Sequence, residues 1–490
     1  MSLFYNINPK GIISISNYSL GKYIQSLGFA KYYYSSDKTI TPIYIYKKAQ
    51  NIIEPVSPIR VHEVVIRELE YRAGNPGSIP EEELPRVIDR LVESKILTRP
   101  ELLITMDDLD KPIISDTSDT GIFPYRNGMA TVTRDKIQFN PLSSIDGYIW
   151  SSQIIDRDFE LVTPEDAKRS DFFRFLCRIT AIKTTTGWTE DPERLSALYS
   201  LIGYLLITYK DPTNPRAVIL MDSSLDGQPA GRTGKGLFVQ GLKKVRNAIK
   251  IDGKDYDGTN RYKFSQVSPD TNLIFIDDVG RGFDFENLFS VVTEGIKVEE
   301  KYLKSYYIPF DYSPKIIVST NYALNGRGSS HDARKYEFAF SNYYSDTFRP
   351  IDDFGNMFFY EWDTTQWNYF DNLMLYAVQS YLQKGVSIAT DPMIDKKKLL
   401  TETTPEFVEW VSEQGFTLND KYEKSDIHER FITQTGTEVN RKTFIGYLKS
   451  YGYANGWELL QPHSGYSRWI EFRPRILVPE RVTSSGTLSN

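Results

Sequence analysis

The sequence predicts a multidomain α/β protein built around a phosphate-loop core with a parallel central sheet, and three observations lead there. The chain has 490 residues, more than one hydrophobic core usually organises. An apolar run from Ala217 to Met221 gives way to a glycine-rich turn ending in Gly234-Lys235, after which helix-forming residues resume. Two further apolar runs, Asn272 to Asp278 and Lys315 to Asn321, follow in order and each ends in polar side chains.

Composition excludes several classes. With 40% hydrophobic and 25% charged residues the chain can bury ordinary soluble cores, and no run approaches the ~20 apolar residues of a membrane span. A single cysteine, Cys177, forbids an internal disulfide, and His62, His331, His428 and His463 share no metal-ligand spacing with it. A reducing compartment fits, and the first residues lack a charged region followed by an apolar core, so the expectation is a bacterial or infected-cell cytoplasm. The net charge of −6 gives no general attraction to nucleic acid; any polyanion contact must be local.

In chain order, residues 1–160 mix strand-like pieces such as Thr41 to Tyr46 with helix-like ones such as Arg60 to Tyr71 and Glu81 to Glu93, the pattern of an α/β module. Asp107, Asp108 and Asp110 cluster within it and read as a solvated turn rather than a metal site, since no further carboxylate pair lies on a clear strand nearby. Residues 161–210 form a helical collar: Asp171 to Thr180 and Glu193 to Tyr209 repeat apolar residues every three to four positions.

Residues 211–345 hold the core. Glycines let backbone N–H groups curl around phosphate oxygens, the following helix presents its positive dipole end, and Lys235 reaches the terminal phosphates. Against the pattern G-x-x-x-x-G-K-S/T, Pro229 replaces the first glycine and Gly236 stands where a hydroxyl normally ligates Mg²⁺. Gly227 and Gly231 restore flexibility, and Thr233 lies close enough in sequence to be a substitute hydroxyl; with Arg232, Gly234, Lys235 and Gly236 they form the expected nucleotide-binding set. Acids at the carboxyl end of a strand beside such a loop have a defined use. Asp277 is assigned to Mg²⁺, held through its waters, and Asp278 to orienting the attacking water. Asn321, at the end of the third strand, is the expected γ-phosphate sensor.

Three strands ending in a lysine loop, Asp-Asp and Ser-Thr-Asn, together with Glu294 to Lys301 and Phe348 to Gly355, resemble a superfamily 3 helicase of the AAA+ class, similar to the helicase part of phage, plasmid and poxvirus primase-helicases. The resemblance covers roughly residues 171–382 and is weaker towards the ends. It implies ATP and Mg²⁺ as ligands, and a homo-oligomer, expected to be a hexamer, that acts on single-stranded and forked DNA. It also implies a primase or polymerase as partner and no membrane contact. The stretch Gly295 to Phe310 patterns as a hairpin with a Lys-Tyr-Leu-Lys tip. In the family the corresponding hairpin enters the ring channel and grips DNA, so Lys301 and Lys304 are expected on phosphates and Tyr302 against a base. The family completes its ATP site with an arginine from the neighbouring subunit; Arg334 matches that position best, with Arg327 as the alternative.

Residues 346–400 extend the core with helices. In 401–475, three helices (Pro405 to Gly415, Ser425 to Gly436 and Glu438 to Tyr451) precede two strand-like runs, Trp457 to Leu460 and Arg468 to Phe472, the order of a winged helix with Arg441 and Lys442 as its DNA contacts. A protein-contact domain is the alternative there. The tail 476–490 reads as disordered. The function this assembles is an ATP-dependent replicative DNA helicase. Its rivals are an AAA+ ATPase that loads or remodels another replication protein, and a non-hydrolysing DNA-binding initiator suggested by Gly236.

Overall fold

The structure is a computed structural model that describes residues 4–33, 42–49, 51–76, 78–223, 232–299, 301, 305–324, 329–389, 392–461 and 468–475. Its centre is a five-stranded sheet, all parallel, in the order Ala248–Asp252, Leu273–Val279, Lys315–Thr320, Ala217–Asp222 and Lys335–Phe340. We call Ala217–Asp222 the loop strand, Leu273–Val279 the acid strand and Lys315–Thr320 the amide strand. Every residue of the loop and amide strands is buried, as expected for parallel strands covered on both faces, whereas the edge strand Ala248–Asp252 keeps polar residues partly in solvent.

The two-residue period of a strand divides these side chains between two cores. Val218, Leu220, Leu273, Phe275 and Ile317 face one cluster; Ala217, Ile219, Met221, Ile274, Ile276, Ile316 and Val318 face the other. The first cluster is closed by helices Asp171–Thr180, Pro192–Leu206, Lys235–Lys243 and Thr364–Lys384. Pro192–Leu206 starts where it does because the Asp191 carboxylate accepts from the backbone N–H groups of Glu193 and Arg194, both at 3.0 Å, and Pro192 needs no partner at the first helical position. The second cluster is closed by the short helix Phe289–Thr293 and by a hairpin, Gly295–Val298 paired with Tyr306–Pro309, anchored through Ile296, Val298 and Ile308.

Two pairings tie distant segments to the sheet. A three-stranded antiparallel sheet, Thr120–Tyr125, Gly128–Thr133 and Ile137–Asn140, packs Phe123, Tyr125, Ala130 and Val132 into the first cluster. Residues 120–139 and 155–159 therefore share the core of the parallel sheet, whereas Tyr148 and Trp150 between them pack with Ile45 and Ile53 of the N-terminal unit. Just before that sheet, buried Asp116 accepts from Arg246 at 2.7 Å, from the Thr208 N–H at 2.7 Å and hydroxyl at 3.0 Å, and from the Ile122 N–H at 2.8 Å. Arg157 makes a second buried pair with Asp371.

The N-terminal unit has a four-stranded sheet, Phe29–Tyr32, Ile43–Ala49, Ile52–Val56 and Ile149–Trp150, with helices Asn17–Ser26, Pro58–Arg72 and Leu84–Ser94. Asp107, Asp108 and Asp110 are each neutralised by their own lysine, Lys22, Lys31 and Lys47, and no group of metal-ligating side chains occurs among the described residues. At the other end, helices Pro405–Glu413, Lys424–Thr435 and Arg441–Ala454 surround a core of Phe407, Trp410, Phe431, Phe444, Leu448, Ile470 and Phe472. Two strands are expected there and three are found. Lys421–Glu423 joins Trp469–Pro474 and Trp457–Leu460 in an antiparallel sheet, and its three residues are too few to show an alternating pattern in sequence. Residues 462–467 and the tail 476–490 lie outside the described residues. No helix among the described residues is long and apolar enough to cross a membrane.

Candidate functional site

The strand order decides what can meet. Because the amide strand lies between the loop and acid strands, all three carboxyl ends open on one crevice with Asn321 in the middle. Its side-chain amide uses both polarities: Oδ1 accepts from Lys235 Nζ at 2.7 Å, and Nδ2 donates to Asp278 Oδ1 at 3.2 Å. A carboxylate could not donate here and a lysine could not accept, so the amide is the residue type the position requires.

Lys235 begins the helix Lys235–Lys243, preceded by Gly234 at φ 99°. A Cβ at Gly234 would lie 2.9 Å from the Phe175 ring, so both the left-handed backbone and the close approach of the helix Asp171–Thr180 call for glycine. Arg232 is also left-handed, at φ 67°, and its guanidinium pairs with Asp346 at 3.1 Å. Thr233 is buried, and its hydroxyl has no hydrogen-bond partner among the described residues. No atom of the described residues lies within 4 Å of where a Cβ on Gly236 would stand. Gly227 and Gly231 lie outside the described residues. Burial pushes the Lys235 ammonium below its ordinary range, Asp222 pulls it back up, and Lys397 adds to the depression.

The acid strand breaks register between Ile276 and Val279, and Asp278 takes a left-handed φ of 59°, an uncommon conformation for a residue with a side chain and one that concentrates at functional sites. Ser319 fixes the break: its hydroxyl donates to Asp277 Oδ1 at 2.6 Å and accepts from the Asp278 N–H at 2.8 Å. The remaining oxygens hold lysines, Asp277 Oδ2 with Lys250 at 2.6 Å and Asp278 Oδ2 with Lys254 at 3.1 Å.

Lys235, Asp277, Asp278 and Asn321 are thus brought together, and Arg334 is not. The Ala217 N–H donates to the Arg334 carbonyl, and the register runs from Ala217 beside Lys335 to Asp222 beside Phe340. Arg334 therefore sits a strand length, about 20 Å, from the Lys235 end of the same sheet. Its guanidinium donates to the Ser330 carbonyl at 2.8 Å and hydroxyl at 2.7 Å and lies over the Phe289 ring. Arg327 lies outside the described residues. His331 contacts Glu286 at 3.0 Å and the Phe289 ring, a packing position.

At the hairpin, Lys301 is exposed at the tip, while Tyr302 and Lys304 lie outside the described residues. Glu299, next after the last paired residue on the tip side, is held by Lys297 at 2.6 Å and Arg261 at 2.8 Å. Arg441 and Lys442 are exposed in the first turn of their helix, which is capped by Asn440.

Sequence reasoning missed Asp222, Ser319, Lys250, Lys254 and Lys397 as site residues. Asp222 and Ser319 carried a signal, a polar residue closing a buried strand. Lys250 and Lys254 stand on and just after an edge strand where lysine is unremarkable, and Lys397 comes from 175 residues along the chain.

No protein-family model and no curated protein sequence matches the chain. Among solved structures it is similar to an apo form of the NrS-1 C-terminal region at 13% identity and TM-score 0.39, covering 89% of this chain and 90% of that one. A second NrS-1 C-terminal region structure is 11% identical, with TM-score 0.34 and coverages of 73% and 96%. The JCV helicase with a bound small molecule is 12% identical, with TM-score 0.25 and coverages of 50% and 70%.

Proposed function

We propose that this chain is an ATP-driven DNA helicase of the superfamily 3, AAA+ type, working as a ring in replication. The observation that carries the reading is Asn321 spanning Lys235 and Asp278 at the carboxyl ends of a parallel sheet, with Asp277 alongside. A phosphate chain lying on the loop meets the Lys235 ammonium and the N-terminal end of its helix. Asp278 accepts a hydrogen bond from the attacking water, and Asn321 holds that carboxylate and the γ-phosphate in register. The residues present suit a Mg²⁺–nucleotide. Thr233 offers a buried hydroxyl without a partner among the described residues, and Asp277 offers a carboxylate now neutralised by Lys250, an exposed lysine that another cation can displace. Bound there, Mg²⁺ supplies charge neutralisation for the phosphates.

Arg334 works on a neighbouring subunit's nucleotide, because its own lies a strand length away. Lys301, Tyr302 and Lys304 meet single-stranded DNA in the channel, and hydrolysis at successive interfaces moves the hairpins. The C-terminal helices and sheet form a winged helix that holds the fork through Arg441 and Lys442, and the N-terminal unit is the attachment point for a primase or polymerase.

The test is nucleotide binding, hydrolysis and strand displacement on forked DNA of both polarities. Lys235→Ala should weaken binding, and Asp278→Asn should bind and not hydrolyse. Normal turnover in both variants refutes the assignment. ATPase without strand separation, unaltered by Lys301→Ala, would favour a loader.

A further inference from the structure

At the N-terminal ends of the parallel strands, a strand length of about 20 Å from Lys235, a cavity of about 220 Å³ lies where the N-terminal unit meets the sheet. Tyr32 and Trp150 reach it from the N-terminal unit, with their rings edge to face at 5.9 Å. Asn272 stands just before the acid strand, and Asp311 and Tyr312 lie in the turn that joins the hairpin strand Tyr306–Pro309 to the amide strand.

We infer that this cavity receives a single nucleobase, with the sugar and phosphate left outside, at a site separate from the strand-end crevice. Size is the first argument. A cavity of about 150 Å³ takes a benzene ring, and drug-sized ligands occupy about 300 Å³ or more. The 220 Å³ here falls between them, which gives room for one heterocycle and not for a whole nucleotide.

Hydrogen bonding is the second. Asp116 also lines the cavity, but its carboxylate is already taken by Arg246, Thr208 and the Ile122 N–H. Three other polar groups are open. Gln153 makes no side-chain hydrogen bond among the described residues. The Asn272 side-chain oxygen accepts from the Asn247 N–H at 3.2 Å, which leaves its NH₂ group to donate. The exposed Asp311 carboxylate has no ion-pair or hydrogen-bond partner among the described residues and offers only acceptors. A donor, an acceptor and an amide that is both match the edge of a nucleobase, which carries donors and acceptors side by side. An aliphatic occupant would leave these groups unpaired. No lysine or arginine among the described residues lines the cavity to hold a phosphate or a carboxylate. Tyr32, Trp150 and Tyr312 supply flat apolar walls against which a base packs.

The experiment uses the full chain and photo-crosslinking by iodouracil, whose excited ring couples to neighbouring aromatic side chains, with the adduct located by peptide mapping. One arm offers a thymidine oligonucleotide carrying a single iodouracil and the other the free iodouracil nucleoside, both with saturating Mg²⁺ and a non-hydrolysable ATP analogue. Adducts are expected on Tyr32, Trp150 or Tyr312. Adducts there from the oligonucleotide alone identify the occupant as a base of a bound strand, and adducts from both arms identify a site that also takes the free nucleoside. Gln153→Leu should cut their yield at least fivefold and leave the thermal midpoint at the wild-type value; should that variant not fold, Asp311→Ala gives the same comparison. No adduct on those three side chains in either arm overturns the inference, as does wild-type yield in folded Gln153→Leu and Asp311→Ala proteins. A wild-type chain that forms these adducts and neither binds nor hydrolyses ATP would sink the nucleotide reading and leave this inference standing.

Discussion

Lys210 gives a stability prediction that can be worked through from the structure. It follows the helix Pro192–Leu206 and is buried, donating to the Ser313 hydroxyl at 2.7 Å with its ammonium 4.3 Å from the centre of the Phe310 ring. Burial pushes its pKa from 10.5 down to about 7, with Asp311 acting weakly in the other direction. An unfolded chain keeps this proton up to pH 10.5, whereas the folded chain releases it near pH 7. Between those values the unfolded state binds more protons, so Lys210 makes stability rise with pH, and its penalty is present in full below pH 7. At 1.36 kcal/mol per unit the whole window amounts to about 5 kcal/mol, and the interval from pH 7 to 9.5 to about 3 kcal/mol. Lys210→Met keeps the aliphatic stem and removes the titration. In urea unfolding followed by tryptophan fluorescence, the stability of Lys210→Met minus that of wild type should therefore fall by about 3 kcal/mol between pH 7 and pH 9.5. The subtraction cancels the buried groups that Lys210 does not influence; Lys315, lowered strongly by burial and further by the Lys210 charge, is not one of them. Parallel pH curves for the two proteins would refute the reasoning and mean that water or a nearby acid keeps Lys210 charged.

The remaining predictions concern the site. Arg334→Ala mixed with Asp278→Asn should recover part of the ATPase that each lacks, provided subunits exchange; no recovery despite exchange points to Arg327 or to an arginine acting within one chain. Lys301→Ala with Lys304→Ala should flatten the salt dependence of single-strand binding, each lost phosphate contact removing a slope of about 0.7, whereas substitution of Arg441 and Lys442 should weaken fork binding and leave that slope unchanged. Gly236→Ser should be accommodated, since a Cβ there meets open space, and should stabilise the helix by up to about 1 kcal/mol. If Thr233 is the Mg²⁺ hydroxyl, the Gly236→Ser chain should still lose ATPase on Thr233→Val; retained activity would mean that the introduced hydroxyl can take over.

The parallel core was legible because its strands are buried on both faces and so appear in sequence as unbroken apolar runs ending in chemistry. Asn321, Asp277, Asp278 and Lys235 could be picked out because each closes such a run or the loop after it. What escaped was whatever depends on one segment arriving beside another. The register break at Asp277-Asp278 needs Ser319 from the next strand, and the contact of Lys397 with Asp222 comes from beyond the core altogether. Asp116 showed as one acid among many, although it is the buried partner of Arg246 and marks where the shared core begins. Nothing in the sequence pattern of residues 120–140 says which core their three-stranded sheet joins.

The N-terminal sheet is completed late. Ile52–Val56 pairs on its outer side with Ile149–Trp150, and Trp150 closes a small cluster with Ile45, Ile53 and Tyr148. During synthesis, the roughly 90 residues between those strands take about 5–18 s to emerge at 5–20 residues per second, and for that interval Ile52–Val56 is an open edge beside uncovered isoleucines. A nascent chain halted in that window carries a sticky strand, so slow codons or a pause between residues 56 and 149 should cost yield through aggregation while the same pause placed after residue 150 should not.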